Sequence, residues 1–333
     1  MTNRVFGQFK IIVGVTLGVS SLGAVAQTAA NFPTQSLRII VATSPGGALD
    51  ATARAIGNKL SQTLGQQVLV DNRAGASGAL AYEQLTKAPA DGHTLLTVSA
   101  THVINSLVIP GWPYQTTKVT EPLSQVASLY YIIYRHPSVP IKTLKDLLAY
   151  ARKHPGKVLY GTGGMANISH LGWEWLAHMS GTKFKHVAYK GASNAVKATI
   201  SGEMHVGFST VHSLRPHFAS GRAHPLAVTA KQRLAAMPEI PTVAESGYPD
   251  YEVNQWYGFA TGANVPADVV AKLSNAIIEA VKSPEVTKRL ESDGSVVVGS
   301  SKEAFRKHLN DEQIQWRKVL QDTGVTLSGT KLK

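Results

Sequence analysis

Leu37-Arg38-Ile39-Ile40-Val41-Ala42, followed at once by Thr43-Ser44-Pro45-Gly46-Gly47-Ala48-Leu49-Asp50, decides the fold. The first six residues form a run of strand type, rich in β-branched side chains. Pro45, Gly46 and Gly47 then break the strand. Beyond them Ala53, Ile56, Leu60 and Leu64 recur at helical spacing, which predicts a helix to about Leu64. A strand passing through a glycine turn into a helix is the start of a βαβ unit, and the pattern continues. Val68–Val70 reads as a second strand, Asn72–Gly78 as a turn and Ala79–Lys87 as a helix. Thr94–Ser99 is a third strand behind the Asp91-Gly92 turn. Alternation of this kind predicts an α/β fold with parallel sheets flanked by helices.

A polar connection, Gly111 to Pro122, leads to a strand over Val126–Tyr134, after which a second α/β set begins. Its expected helices are Thr143–Lys153, Ser169–Ser180 and Ala192–Ser201. Its expected strands are Val158–Tyr160, Phe184–Val187, His205–Phe208 and Leu226–Val228. Gln255–Thr261 reads as a strand returning to the first set. Helices over Pro266–Val281, Pro284–Ser292 and Lys302–Asp322 follow, the last with Phe305, Leu309, Ile314 and Trp316 on its buried face. A chain of 333 residues favours about two domains. The pattern predicts two hinged lobes, residues 32–129 with 254–333 forming the first and 130–253 the second. The crossings fall near Ser128–Tyr131 and Tyr251–Gln255.

The N-terminus reads as an export signal over residues 1–26. Arg4 and Lys10 give a basic start, Ile11–Leu22 an apolar stretch, and Ala24-Val25-Ala26 a small-residue cleavage motif. The apolar stretch falls short of the about 20 residues that span a bilayer. The expectation is a soluble periplasmic protein cleaved near Ala26, with no cysteine for a lipid anchor or a disulfide. The formal charge of +12 raises the question of nucleic acid. The basic residues are scattered, however, with no Lys/Arg run and no aromatic platform between them, so a positive potential favouring a small anion is the simpler reading. Twelve histidines are dispersed without metal-binding spacing, and neither metal nor cofactor is expected.

In an α/β sheet, ligands bind at loops beyond the C-terminal ends of parallel strands. Four such loops are rich in Gly, Ser, Thr and Asn. In Ser44–Asp50 the glycines expose backbone N–H groups just ahead of a helix, a geometry that suits a carboxylate. A tight turn that needs glycine only for its backbone angles accounts for the same residues equally well. The loop matches neither GxGxxG nor GxxxxGK[ST], which argues against nucleotides. Ser99-Ala100-Thr101-His102 offers hydroxyl donors after the third strand. Gly161–His170 ends at a helix start, and Tyr189-Lys190-Gly191 follows a strand and opens a helix.

These motifs together resemble the Bug-type periplasmic receptors of tripartite tricarboxylate transporters, over nearly the whole mature chain. The resemblance rests on Pro45-Gly46-Gly47-x-x-Asp50, Val70-Asp71-Asn72-Arg73-Ala74-Gly75-Ala76-Ser77-Gly78 and Pro89-Ala90-Asp91-Gly92-His93-Thr94-Leu95-Leu96. Thr101-His102-x-Ile104-Asn105, Ser169-His170-Leu171, Tyr189-Lys190-Gly191 and Pro241-Thr242-Val243-Ala244-Glu245-x-Gly247 also fit. The resemblance implies a two-lobe, type II periplasmic-binding fold that closes on a small organic carboxylate and delivers it to membrane subunits of a tripartite transporter. It implies a carboxylate held largely by backbone amides and ordered waters, and nominates Gly46, Gly47, Asp50, Thr101, Gly163, Ser169, Tyr189 and Gly191. Ser44, Ala48, His102 and Ala166, beside these in the same loops, are expected as ligand-binding residues with them.

Departures from the family pattern fall at Thr43, where an aromatic is usual, and at Ser209, where Asp is common. Met165, Asn167 and Ile168 replace a run of small residues, and Tyr130 and Tyr131 stand where Pro and an aliphatic residue are general. The loss of Asp at 209 removes a natural partner for a ligand ammonium. Selectivity is therefore expected at Thr43, Tyr131, Asn167 and Ser209, with a dicarboxylate and an aromatic carboxylate both open as ligands. Tyr130 and Tyr131 packing in the hinge strands is an equally good account. A monomer is expected, and the alternatives are a ligand sensor that passes its closed form to a membrane sensor kinase and, behind it, a periplasmic enzyme. No GxSxG, SxxK or cysteine nucleophile is present, and adjacent Ser169 and His170 on a helix point in different directions, so no catalytic residue is expected.

Overall fold

A computed structural model of the chain describes residues 30–292 and 294–326. The expected export signal and its cleavage site near Ala26 lie outside them. The strands are β1 (Leu37–Val41), β2 (Val68–Asn72), β3 (Thr94–Ser99), β4 (Thr120–Arg135), β5 (Leu159–Thr162), β6 (Lys185–Ala188), β7 (Val206–Thr210), β8 (His224–Val228), β9 (Asn254–Gly262) and β10 (Val296–Val297). The helices are α1 (Ala48–Leu64), α2 (Ala79–Lys87), α3 (Ala100–Val108), α4 (Thr116–Val119), α5 (Leu144–Lys153), α6 (Ile168–Ser180), α7 (Ala192–Ile200), α8 (Val211–Ala219), α9 (Ala267–Lys282), α10 (Pro284–Ser292) and α11 (Lys302–Thr323). Among the described residues no helix is long and apolar enough to cross a membrane.

One mixed sheet runs in the order β2-β1-β3-β9-β4-β7-β5-β6. Register fixes where its loops go. β4 lies antiparallel to β9 from Thr120↔Gly262 to Tyr130↔Asn254, then antiparallel to β7 from Tyr131↔Thr210 to Arg135↔Val206. β3 is antiparallel to β9 and therefore runs with β4, its last residue Ser99 paired with Tyr257. β7 runs against β4 and ends at Thr210, opposite Tyr131. The C-terminal ends of the strands in the two halves thus point at each other across the middle of β4.

The buried stripes explain the helices. α1 buries Leu49, Ala53, Ile56 and Leu60, and Gly65 ends it in the left-handed region. α5 begins with a capping box in which Thr143 and Asp146 satisfy each other's backbone N–H. α11 buries Phe305, Leu309, Trp316 and Val319 and packs on α3, β4 and α6, so it touches both halves of the sheet.

Four expectations change. Ile314 is 69% exposed. It stands two residues before Trp316, about 200° round the helix, so the two cannot share a face. Residues from Ala100 onward, expected as a loop, form α3, because Ser99 serves as N-cap and Val103 and Ile104 bury themselves. The stretch Val211–Ala219, unassigned from sequence, is helical despite Pro216, with Val211 and Leu214 buried. β4 starts at Thr120, inside the expected connection, and a register shift between Pro122 and Ser124 accommodates the proline.

Candidate functional site

The turn after β1 is built by Asp50 from below. Its Oδ2 accepts from Gly46 N–H at 2.9 Å and from Arg54 Nε at 3.1 Å, and its Oδ1 accepts from Asn72 Nδ2 at 2.9 Å. Asn72 Nδ2 also donates to the Thr43 carbonyl at 3.1 Å, tying the end of β2 to the same turn. Burial of Asp50 would raise its pKa, but Arg54, the Gly46 N–H and Asn72 outweigh burial and hold it below the ordinary value. Its carboxylate faces the turn, and its donors are supplied by the protein.

Asp50→Ala strips acceptors from Gly46 and Asn72, and the expected loss of stability is about 1–2 kcal/mol at pH 7. A depressed native pKa stabilises above the unfolded value of 3.8 and ceases to do so as pH falls through the lower native value. Denaturant midpoints of wild type and variant should therefore converge in acid. A gap that stays constant below pH 3.8 would show that the charge of Asp50 is not what holds the turn.

With Asp50 engaged beneath it, α1 begins at the N-cap Gly47 with no side-chain cap. The first N–H groups of a 17-residue helix are then left for an outside acceptor. They open on a cavity of about 500 Å³ walled by Ala42, Thr43, Gly47, Ala48, Leu49, Gly75, Ser77, Gly78, Ser99, Thr101, His102, Asn105, Gln255 and Tyr257. The N-terminus of α3 meets the same cavity through Ser99 and Thr101. Among the described residues no Lys, Arg, Asp or Glu lines it, so its donors are amides, hydroxyls and one imidazole.

Of the residues nominated from sequence, Thr43, Gly47, Ala48, Thr101 and His102 line this cavity. Ser44 and Gly46 sit in the exposed part of the turn, and Asp50 lies under it. Gly163, Ala166 and the N-cap Asn167 occupy the turn from β5 into α6, Ser169 lies in the first turn of α6, and Tyr189 and Gly191 occupy the turn from β6 into α7. These two turns are joined: Tyr189 N–H donates to the Thr162 carbonyl at 2.9 Å and Gly191 N–H to the Gly163 carbonyl at 3.2 Å. Asn167 caps α6, accepting from His170 N–H and Ser169 Oγ at 2.9 Å each. Ala166 adopts φ +50 and donates its N–H to His170 Nδ1 at 3.0 Å. Gly191 opens α7, again without a side-chain cap. The Tyr189 hydroxyl is committed to Glu203 at 2.6 Å.

Tyr131 and Ser209 are buried within β4 and β7 and do not line the cavity. The Tyr131 ring lies 4.8 Å from that of Phe208. Tyr130 turns its hydroxyl to Glu252 at 3.0 Å. Sequence reasoning did not nominate Leu49, Ser77, Gly78, Asn105, Gln255 or Tyr257. Asn105 belongs to a motif already singled out, and its Nδ2 holds the Ser77 carbonyl at 2.8 Å. Gln255 and Tyr257 come from β9, 150 residues beyond α3, and nothing local marks them.

The profile of the family described as "Tripartite tricarboxylate transporter family receptor" matches residues 52–325. The UPF0065 protein of the tcbD-tcbE intergenic region of Pseudomonas sp. (strain P51) is 32% identical over 94% of this chain and 94% of its own length. A solved structure described as a periplasmic transporter is 32% identical, covers 89% of this chain and 99% of its own, and superposes with a TM-score of 0.74. An R. palustris protein solved with adipate is 29% identical over the same shares, with a TM-score of 0.75.

Proposed function

We propose that this chain, which belongs to the tripartite tricarboxylate transporter receptor family, captures a small organic carboxylate in the periplasm and delivers it, lobes closed, to the membrane subunits of a tripartite transporter. The lobes in this reading are residues 32–129 with 254–333, of which 327–333 lie outside the described residues, and 130–253, meeting where β4 exchanges β9 for β7. The observation that carries the reading is the uncharged cavity onto which the uncapped start of α1 and the start of α3 both open. Amide donors at a helix start hold an anion without a buried cation whose desolvation must be repaid. Uncapped α7 and the joined turns at Gly163 and Gly191 supply the facing half when the lobes close. The adipate-bound R. palustris relative supports a dicarboxylate as ligand. Among the cavity-lining residues there is no acid to receive an ammonium group, which disfavours amino acids.

Isothermal titration of the full chain with C4 to C6 dicarboxylates, aromatic carboxylates and amino acids tests this. Saturable binding of dicarboxylates, with amino acids at least about tenfold weaker, is the expected result, since one unmet charge costs more than 1.4 kcal/mol. Tight binding of amino acids alone, or of no acid at all, overturns it.

A further inference from the structure

Three residues into α3, the side chain of His102 turns back to the start of the helix. Ser99 N–H donates to His102 Nδ1 at 3.1 Å. A backbone N–H can only donate, so Nδ1 carries the lone pair and the ring proton resides on Nε2. His102 is buried, and burial lowers its pKa to about 4, so the ring is neutral through the physiological range. The side chain is therefore a neutral donor whose tautomer is set by the helix it caps.

Its Nε2 edge lies at the cavity wall. A Cβ at Gly78 would stand 2.9 Å from both Cδ2 and Nε2 of His102, and both residues line the cavity. Gly78 has φ +100, and its lack of a side chain both permits this turn and keeps a Cβ from crowding the Nε2 edge of the ring. Tyr82 backs the ring edge-on at 5.6 Å, while its own hydroxyl pairs with Thr116 at 2.9 Å and does not compete for Nε2.

We propose that His102 is a specificity-determining donor of this site, giving its Nε2–H to an oxygen of the bound acid where Gly78 leaves the ring edge open. The assignment rests on the carboxylate reading above and deepens it. A donor with no charge and no acceptor favours a carboxylate, keto or hydroxyl oxygen at that point. It rejects an ammonium or amide N–H placed there, because two hydrogens would meet with no lone pair between them. The ligand class is thus an organic acid that presents oxygen, not nitrogen, to the start of α3.

The test combines calorimetry on the full chain with NMR of protein labelled with ¹⁵N at histidine, with adipate as the first probe and then the tightest acid of the panel. Glutamine suits the third position of a capped helix: in His102→Gln its Oε1 accepts the Ser99 N–H and its amide still donates. His102→Leu offers neither. The leucine variant should bind on the order of 10- to 100-fold more weakly, the loss of one hydrogen bond to a charged group, while the glutamine variant stays within a few-fold of wild type. In wild type, saturating ligand should move the Nε2 resonance and leave Nδ1 unprotonated, a change that a purely structural role for His102 would not produce. If wild type binds the acid but its Nε2 resonance stays put, or if the leucine variant binds equally well, the assignment to His102 is overturned and the carboxylate reading stands. If wild type binds no carboxylate, that reading fails and this one falls with it.

Discussion

Replacing Trp316 by alanine should lower the stability of the protein by about 3–5 kcal/mol, the range for removing a fully buried tryptophan. Trp316 sits on a helix that packs against elements of both halves of the sheet, with its ring 6.2 Å from that of Trp175 in α6. Further along the same face Phe305 meets Trp256 of β9 at 5.4 Å. The cavity left by the mutation therefore opens between α11 and α6, where collapse would have to move two packed elements at once. A second cost depends on pH. Trp316 Nε1 donates to Glu312 at 2.8 Å, and burial pushes the pKa of Glu312 up to about 7. A raised native pKa means that Glu312 keeps its proton where the unfolded chain has lost it, so its contribution weakens as pH rises from 4.5 to about 7. Above that range the native carboxylate is charged, and the indole N–H is a donor it needs. The destabilisation should accordingly be greater at pH 8 than at pH 5, read as the shift in denaturant midpoint. Equal losses at the two pH values would remove Glu312 from the account, and a loss below about 1 kcal/mol would show that α11 does not brace the two halves.

The features legible in the sequence are those written locally. β1 and α1 could be read because strand, glycine turn and helical stripe are contiguous, and the start of the cavity followed from them. α3 does carry a local signal, Ser99 as an N-cap ahead of the buried Val103 and Ile104. Ile314 is apolar yet exposed, because its angle on the helix and not its character decides which face it takes. What no local reading could supply is convergence. Asn72 reaches Asp50 across 22 residues of sequence, and Gln255 and Tyr257 reach the cavity only because β9 inserts between β3 and β4. That insertion is a property of the sheet order, and the two residues look like any others in a strand. The tautomer of His102 is likewise invisible until the Ser99 N–H is seen to point at it.

Gly163→Ala should cost about 3 kcal/mol, the upper end for overpacking, and should weaken carboxylate binding as well. A Cβ at residue 163 would stand 2.6 Å from the Ala192 N and 3.0 Å from the Gly191 carbonyl carbon. Both are main chain, so no side-chain rotation relieves the contact. The turns are also bound to each other through Tyr189 N–H to Thr162 and Gly191 N–H to Gly163, so separating them breaks the bonds that set the start of α7. That start has no side-chain cap, and any displacement moves the N–H groups proposed above to face the ligand. Gly47→Ala is the matched control in the other half: its φ is −81 and its new Cβ would meet nothing closer than 3.9 Å. It also opens a helix without a side-chain cap, and because glycine outranks alanine at an N-cap the change there should cost up to about 1 kcal/mol. Denaturant midpoints for both variants, with titration of the tightest acid, separate close backbone approach from glycine content. Should Gly163→Ala prove as stable and as tight-binding as Gly47→Ala, the apposition of these two turns is not what shapes the second half of the site.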